Sequence, residues 1–178
     1  MAGPGVPWAQ RRRSVWFRRP DQTTPATDGI SNQRSPTAET ATEYNAKIIA
    51  EFRANQGRVG GTWEDIPLLL LHHTGAQSGV SRVNPVAYLL DDPRYFIWAA
   101  NGGAPKHPAW YQKNLKAHPI TRIEVGGETI DVIAEEADGD ERKRLFAKAT
   151  GHYPQLADAA NRTTRVIPIV VLTPRPSA

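Results

Sequence analysis

Apolar residues recur along this chain in two rhythms, one of three to four positions and one of two. Tyr44, Ile48 and Phe52 recur every fourth residue with Ile49 beside them, which predicts the buried face of a helix beginning near Pro36–Glu39 and ended by Gly57, Gly60 and Gly61. Leu68 to Leu71, followed by His72 and His73, form an apolar run too short for a typical helix and suited to a buried strand. Extended runs follow from Arg82 to Leu90 and from Arg94 to Ala100, with a turn at Asp91-Asp92-Pro93 between them. Ile123 and Val125 alternate with charged residues, as do Ile130 and Val132, and Gly126-Gly127 joins the two arms as a hairpin. Val166 to Leu172, interrupted at Pro168, reads as an edge or bulged strand. Helices are expected over Ala109–Ala117, opened by Pro108 and stopped at His118-Pro119, over Asp138–Thr150, capped by Asp138 or Asp140, and over Ala157–Thr163. Five or six mostly antiparallel strands with peripheral helices predict an α+β fold built on a small barrel.

Composition divides the chain. Apolar residues make up 39% of it and charged residues 22%. Residues 1–43 carry six arginines against four acids, with prolines at 4, 7, 20, 25 and 36. The rest carries sixteen basic and fourteen acidic side chains, so each part contributes equally to the net +4. Residues 1–43 are therefore expected to be a disordered, basic, proline-rich extension and residues 44–178 the folded domain. Trp8, Trp16 and Phe17 interleave with arginines in the extension, a composition that also fits peripheral contact with an anionic membrane. A cytoplasmic location follows, with the inner face of the plasma membrane as the alternative. The near-balanced body argues against nucleic acid as a partner. Without cysteine there is no disulfide, thiolate metal site or cysteine nucleophile.

Two segments could bind a ligand. Thr74 to Arg82 (TGAQSGVSR) combines two glycines, two serines and a fixed positive charge, which suits an anion-binding nest. The same residues also fit a plain hairpin loop. Ala99 to His107 ends a strand in small residues and two glycines, which would let a flat ligand approach the backbone. The alternative there is an ordinary loop before a helix. His72 and His73 are adjacent on a strand and face opposite sides, so they cannot share a metal, and no metal site is expected. No G-x-G-x-x-G, Walker loop or G-x-S-x-G elbow is present. Phosphate-friendly loops without a nucleophile or an acid–base pair suit a protein whose ligand carries the reactivity.

The strings NAKIIAEFRAN (45–55), LLLLHHTGAQSGVSRVNPVAYL (68–89), GGAPKHPAWY (102–111), NLKAHP (114–119) and RVIPIVVLTP (165–174) resemble the deazaflavin-dependent nitroreductases, also called coenzyme F-420-dependent quinone reductases. The resemblance implies a split β-barrel of the flavin-reductase-like kind. It implies hydride transfer from reduced F-420, an 8-hydroxy-5-deazaflavin, to a quinone-like, nitroaromatic or other electron-poor small molecule. Carried over by position, His72, Gly75, Gln77, Ser78, Gly79, Ser81 and Arg82 would hold the phosphate-bearing part of the cofactor, with Asn84 and Pro85 along its chain. Ala99, Ala100, Asn101 and Gly102 would line the ring, with Trp110 and Asn114 reaching it from the next helix. Tyr88, Tyr153 and Leu156 would face the acceptor.

The chain departs from the family pattern at Ala76-Gln77, where many members have Arg-Lys or Ala-Lys, and at Asn101, where members often read Ser-Lys. Its Trp110–Leu115 stretch is one residue longer than usual. Leu156, Ala159 and Ala87 stand where the nitroimidazole-activating member has tyrosines, so that activity does not follow from the resemblance. The rival readings are a non-catalytic F-420 carrier and a split barrel that binds FMN or haem.

Overall fold

A strand can bury four consecutive leucines only if both of its faces are covered, and β1 (Leu68–Thr74) meets that condition. Leu69 and Leu71 point into a closed barrel, while Leu68 and Leu70 point outward beneath α1 (Ala38–Ala54) and pack with Ile48, Phe52 and Val59. The computed structural model describes residues 38–176, with side chains from Thr42 onward. Residues 1–37, and with them most of the expected extension, lie outside the described residues. Residues 38–43, assigned to that extension by a boundary at 44, belong to α1.

The barrel continues with β2 (Ser81–Asp91), β3 (Arg94–Trp98), β4 (Ile120–Val125), β5 (Glu128–Glu136) and β6 (Ile169–Pro174). The strands run β1-β2-β3-β6-β5-β4 around the wall, every neighbouring pair antiparallel. Alternation sends Ile97, Ile123, Val125, Val132, Val170 and Leu172 inward. Phe96, Ile169 and Val171 point outward, against α2 (Gly139–His152) and α3 (Pro154–Asn161). The last strand is not the edge that Pro168 suggested. It lies between β3 and β5, and closure leaves the wall no edge there. Pro168 sits just before the strand, so its missing N–H removes no ladder bond, and its carbonyl accepts the Ala99 N–H at 3.0 Å.

Three other expectations shift. The third helix begins at Pro154 rather than Ala157. The stretch after Pro108 is wound as a π-helix over Trp110–Leu115. Tyr44 is 47% exposed, and its hydroxyl accepts the Trp63 indole N–H at 2.9 Å instead of packing with Ile48.

The end of α1 touches the Gly126-Gly127 turn that joins β4 to β5. Gly57 has φ +91°, and a Cβ there would lie 2.6 Å from the Cα of Gly126. Gly57→Ala therefore adds both a left-handed penalty and a backbone collision, and is expected to cost about 2–3 kcal/mol, read as a lower denaturation midpoint.

One discontinuity interrupts the wall. β2 pairs with β1 along Ser81–Ala87 and with β3 only along Tyr88–Asp91. After Trp98 the chain leaves the sheet into a tight turn at Asn101–Gly103. The first half of β2 thus pairs only with β1, and the stretch of wall between it and the Ala99–Gly103 segment, where no strand pairing is made, is the mouth of the barrel.

Candidate functional site

The β1–β2 loop forms one side of the mouth. Within it the Gly75 N–H donates to the Val80 carbonyl at 2.9 Å, the Gly79 N–H to the Gly75 carbonyl at 2.8 Å, and the Val80 N–H to Ser78 Oγ at 3.3 Å. The Ala76 N–H donates to Asn114 Oδ1 at 3.2 Å. These bonds shape the loop and leave the Gln77 and Ser78 N–H groups without a partner among the described residues. Ser81 and Arg82 begin β2, both exposed. Arg82 makes no ion pair among the described residues, and its exposed charge follows the Gln77 and Ser78 amides on the same short segment. That donor set suits an anion.

A buried polar chain braces the loop from below. His73, 4% exposed, shares the inner face of the wall with Asn84. Its Nε2 donates to Asn84 Oδ1 at 2.7 Å, and its Nδ1 accepts from Asn114 Nδ2 at 2.8 Å. Burial, reinforced by the Arg82 and His72 charges, lowers the His73 pKa against the opposing hydrogen bond to Asn84. The ring is therefore neutral, with its proton on Nε2. With its Oδ1 bonded to His73, Asn84 has no partner for its Nδ2 among the described residues. Asn114, 7% exposed, accepts from the Ala76 N–H and donates to His73, a bracing role between the loop and the ring.

His72 lies on the outer face. Its Nε2 meets Glu124 Oε1 at 2.7 Å, and Arg53 of α1 holds the same carboxylate at 2.6 and 3.0 Å. Hydrogen bonding from Arg53, then from His72, outweighs burial and lowers the Glu124 pKa. His72 thus lies on the face of the wall opposite to His73 and Asn84. Pro85 also alternates to the outer side, opposite Leu70.

The second side of the mouth is the turn after β3. Asn101, Gly102 and Gly103 have φ of 48°, 60° and 79°. A Cβ on Gly103 would lie 2.6 Å from the Ala159 carbonyl oxygen, so α3 is seated directly against the turn. The Asn101 side chain donates to the Lys106 carbonyl at 2.9 Å and closes the loop on itself. The N–H groups of Ala100, Asn101 and Gly102 have no partner among the described residues. Trp110 packs on the barrel cluster, edge-on to Tyr111.

Tyr88 lies inside the wall, edge-on to Tyr95 at 5.7 Å. Tyr153 stacks on Trp98 at 5.3 Å. Burial, then the nearby Tyr88, pushes the Tyr153 pKa up to about 12. Tyr153 therefore keeps its proton at neutral pH. Leu156 is 4% exposed among Phe96, Leu145 and Ile169, a core position. Sequence patterns did not single out His73 or Arg165 for a place in this region, and His107 entered it only as the end of the Ala99–His107 segment. Among the described residues no group of three or more metal-ligating side chains occurs, and no helix is long and apolar enough to cross a membrane.

Residues 46–174 match the family model described as F420H(2)-dependent quinone reductase. The F420H(2)-dependent quinone reductase Rv1261c of Mycobacterium tuberculosis (strain ATCC 25618 / H37Rv) is 36% identical over 71% of this chain and 87% of its own. A solved structure described as an F420-H2 dependent reductase (FDR-A) is 34% identical, with a TM-score of 0.55 over 60% of this chain and 93% of that one. Another, described as a domain-swapped dimer, is 30% identical with a TM-score of 0.57, covering 76% of this chain and 99% of that one.

Proposed function

The chain belongs to the F420H(2)-dependent quinone reductase family, and on that premise we propose that the mouth between β2 and the Ala99–Gly103 turn binds F-420 beside a quinone-like acceptor. The observation that carries this reading is the donor set: Arg82 and the Gln77 and Ser78 amides on one side, the Ala100–Gly102 amides on the other. An anionic tail suits the first set and a flat ring bearing carbonyls suits the second. When bound, reduced F-420 supplies the hydride.

The protein's own work is then to hold, align and shield. The β1–β2 loop and Arg82 anchor the tail. The glycine turn lets the ring lie against backbone, and Asn84 Nδ2 offers a further hydrogen bond. Tyr153, protonated at neutral pH, can donate a hydrogen bond to an acceptor carbonyl as negative charge grows there. The mouth needs no paired acid–base set, because the anion formed by hydride transfer to a quinone takes up a single proton, which water can supply. Contact of the N-terminal segment with an anionic membrane surface belongs to the same proposal, since lipid-soluble quinones reside there.

The purified chain is expected to bind F-420 saturably and to oxidise its reduced form when menadione is added, followed as return of deazaflavin absorbance. Tight binding without menadione-dependent turnover would make the protein a carrier. Saturable FMN or haem binding with none of F-420 would overturn the proposal.

A further inference from the structure

Arg165 lies between α3 and β6, and its guanidinium is turned inward beneath the turn that forms one side of the mouth. Its Nε donates to the Ala104 carbonyl at 2.8 Å, one terminal nitrogen to the Ala99 carbonyl at 3.1 Å and to His107 Nδ1 at 3.0 Å, and the other to the Ala100 carbonyl at 2.5 Å. Four of its five N–H bonds thus hold one nine-residue loop, and it makes no ion pair with any described carboxylate. A guanidinium that forgoes a carboxylate for three peptide carbonyls fixes peptide planes rather than neutralising charge.

The consequence lies on the opposite face of those planes. In a trans peptide the C=O of one residue and the N–H of the next point in opposite directions. With the Ala99 and Ala100 carbonyls both converging on Arg165, the Ala100 and Asn101 N–H groups point away from it. Neither has a partner among the described residues. Hydrogen bonding of each carbonyl to a cation also polarises the peptide and strengthens its N–H as a donor. The turn needs this support, because Asn101 holds φ +48° beside two glycines at positive φ. His107 contributes as an acceptor: burial, then the Arg165 and Lys116 charges, lower its pKa against the influence of Glu136. Its ring rests against Tyr111 at 5.3 Å, tying the same clamp to the π-helix.

We propose that Arg165 is a positioning residue that locks the Ala99–His107 loop so that the Ala100 and Asn101 N–H groups stand as a paired donor for the carbonyl-bearing pyrimidinedione edge of the deazaflavin ring. This rests on the reading of the mouth as the F-420 site. It makes Arg165 a determinant of ring binding and Arg82 a determinant of tail binding, two effects that chemistry can separate.

The test compares wild type, Arg165→Ala, Arg165→Lys and Arg82→Ala in binding titrations with F-420 and with its chromophore lacking the phosphate-bearing tail. Amide hydrogen exchange across residues 99–107 is followed in the ligand-free chain. Arg165→Ala is expected to weaken both ligands by a similar factor of about ten or more and to accelerate exchange in the loop. Arg165→Lys, which keeps the charge and loses the fork, should resemble alanine. Millimolar guanidinium should restore part of the chromophore binding to Arg165→Ala, an effect that a general loss of stability would not give. Arg82→Ala should weaken F-420 and leave the chromophore within about twofold. If wild type binds F-420 and Arg165→Ala binds the chromophore as wild type does, the inference falls while the site stands. If wild type binds neither ligand, the site falls and the inference with it.

Discussion

Replacing Arg82 by alanine is expected to raise the KM for F-420 by about tenfold to a hundredfold while the melting temperature stays within a degree or two. The magnitude follows from the removal of one charge-assisted hydrogen bond to an anion, worth about 1.5–3 kcal/mol when its partner is a phosphate. The expectation of an undisturbed fold follows from its surroundings. Arg82 is exposed, makes no ion pair among the described residues, and contributes to the β1–β2 ladder only through its backbone. Turnover at saturating F-420 should change little, because the tail is remote from the transferred hydride and binds ground and transition states alike. Arg82→Lys should recover part of the loss, since a point charge replaces the charge but not the fork. Raising the salt concentration should weaken the wild type towards the variant. A KM unchanged in Arg82→Ala would mean that the β1–β2 loop is not the phosphate site.

The strands and their order of appearance were legible because alternation and turn chemistry are local. The Gly126-Gly127 hairpin stands as written, with Val125 opposite Glu128. Closure of the barrel was not legible. The pairing of β3 with β6 joins residues some seventy positions apart, and nothing near Ile169 announces its partner. The same distance hid Arg165, whose guanidinium reads locally as one more surface cation and finds its carbonyls only when the chain returns. The neighbouring histidines show what alternation can and cannot give. It predicts that His72 and His73 face opposite sides, and they do; it does not say which side is the interior. Family position favoured His72 as the contact, whereas the buried one on the inner face is His73. The Trp110–Leu115 stretch is another case. Sequence shows only a helix there; the structure winds it as a π turn, with Asn114 bonded to both His73 and Ala76.

His73→Leu is expected to cost about 3 kcal/mol of stability and to weaken F-420 binding together with it. Leucine nearly fills the site but leaves Asn84 Oδ1 and Asn114 Nδ2 facing apolar atoms, and each buried group without a partner costs about 1–3 kcal/mol. The loss reaches the mouth by two routes. Asn84 is no longer oriented to present its Nδ2, and Asn114, freed from the ring, no longer holds the Ala76 N–H and the β1–β2 loop. Wild type should show a related dependence on pH. The folded-state pKa of His73 lies below the ordinary value of 6.5 because the ring is buried. As pH falls below that ordinary value the unfolded chain takes up a proton that the native chain refuses, so stability declines between there and the lowered native pKa. One such group contributes a slope of at most about 1.4 kcal/mol per pH unit. His107 is lowered in the same direction and is common to both proteins, so the informative quantity is the difference between wild type and His73→Gln. Glutamine can keep one of the two hydrogen bonds and cannot titrate, which should flatten the profile by the share belonging to His73. Denaturation midpoints measured in half-unit steps from pH 5 to pH 8 give that difference directly. Parallel profiles for the two proteins would mean that His73 binds its proton equally well in the folded and unfolded chains, so that burial does not hold the ring neutral and the brace would be built differently.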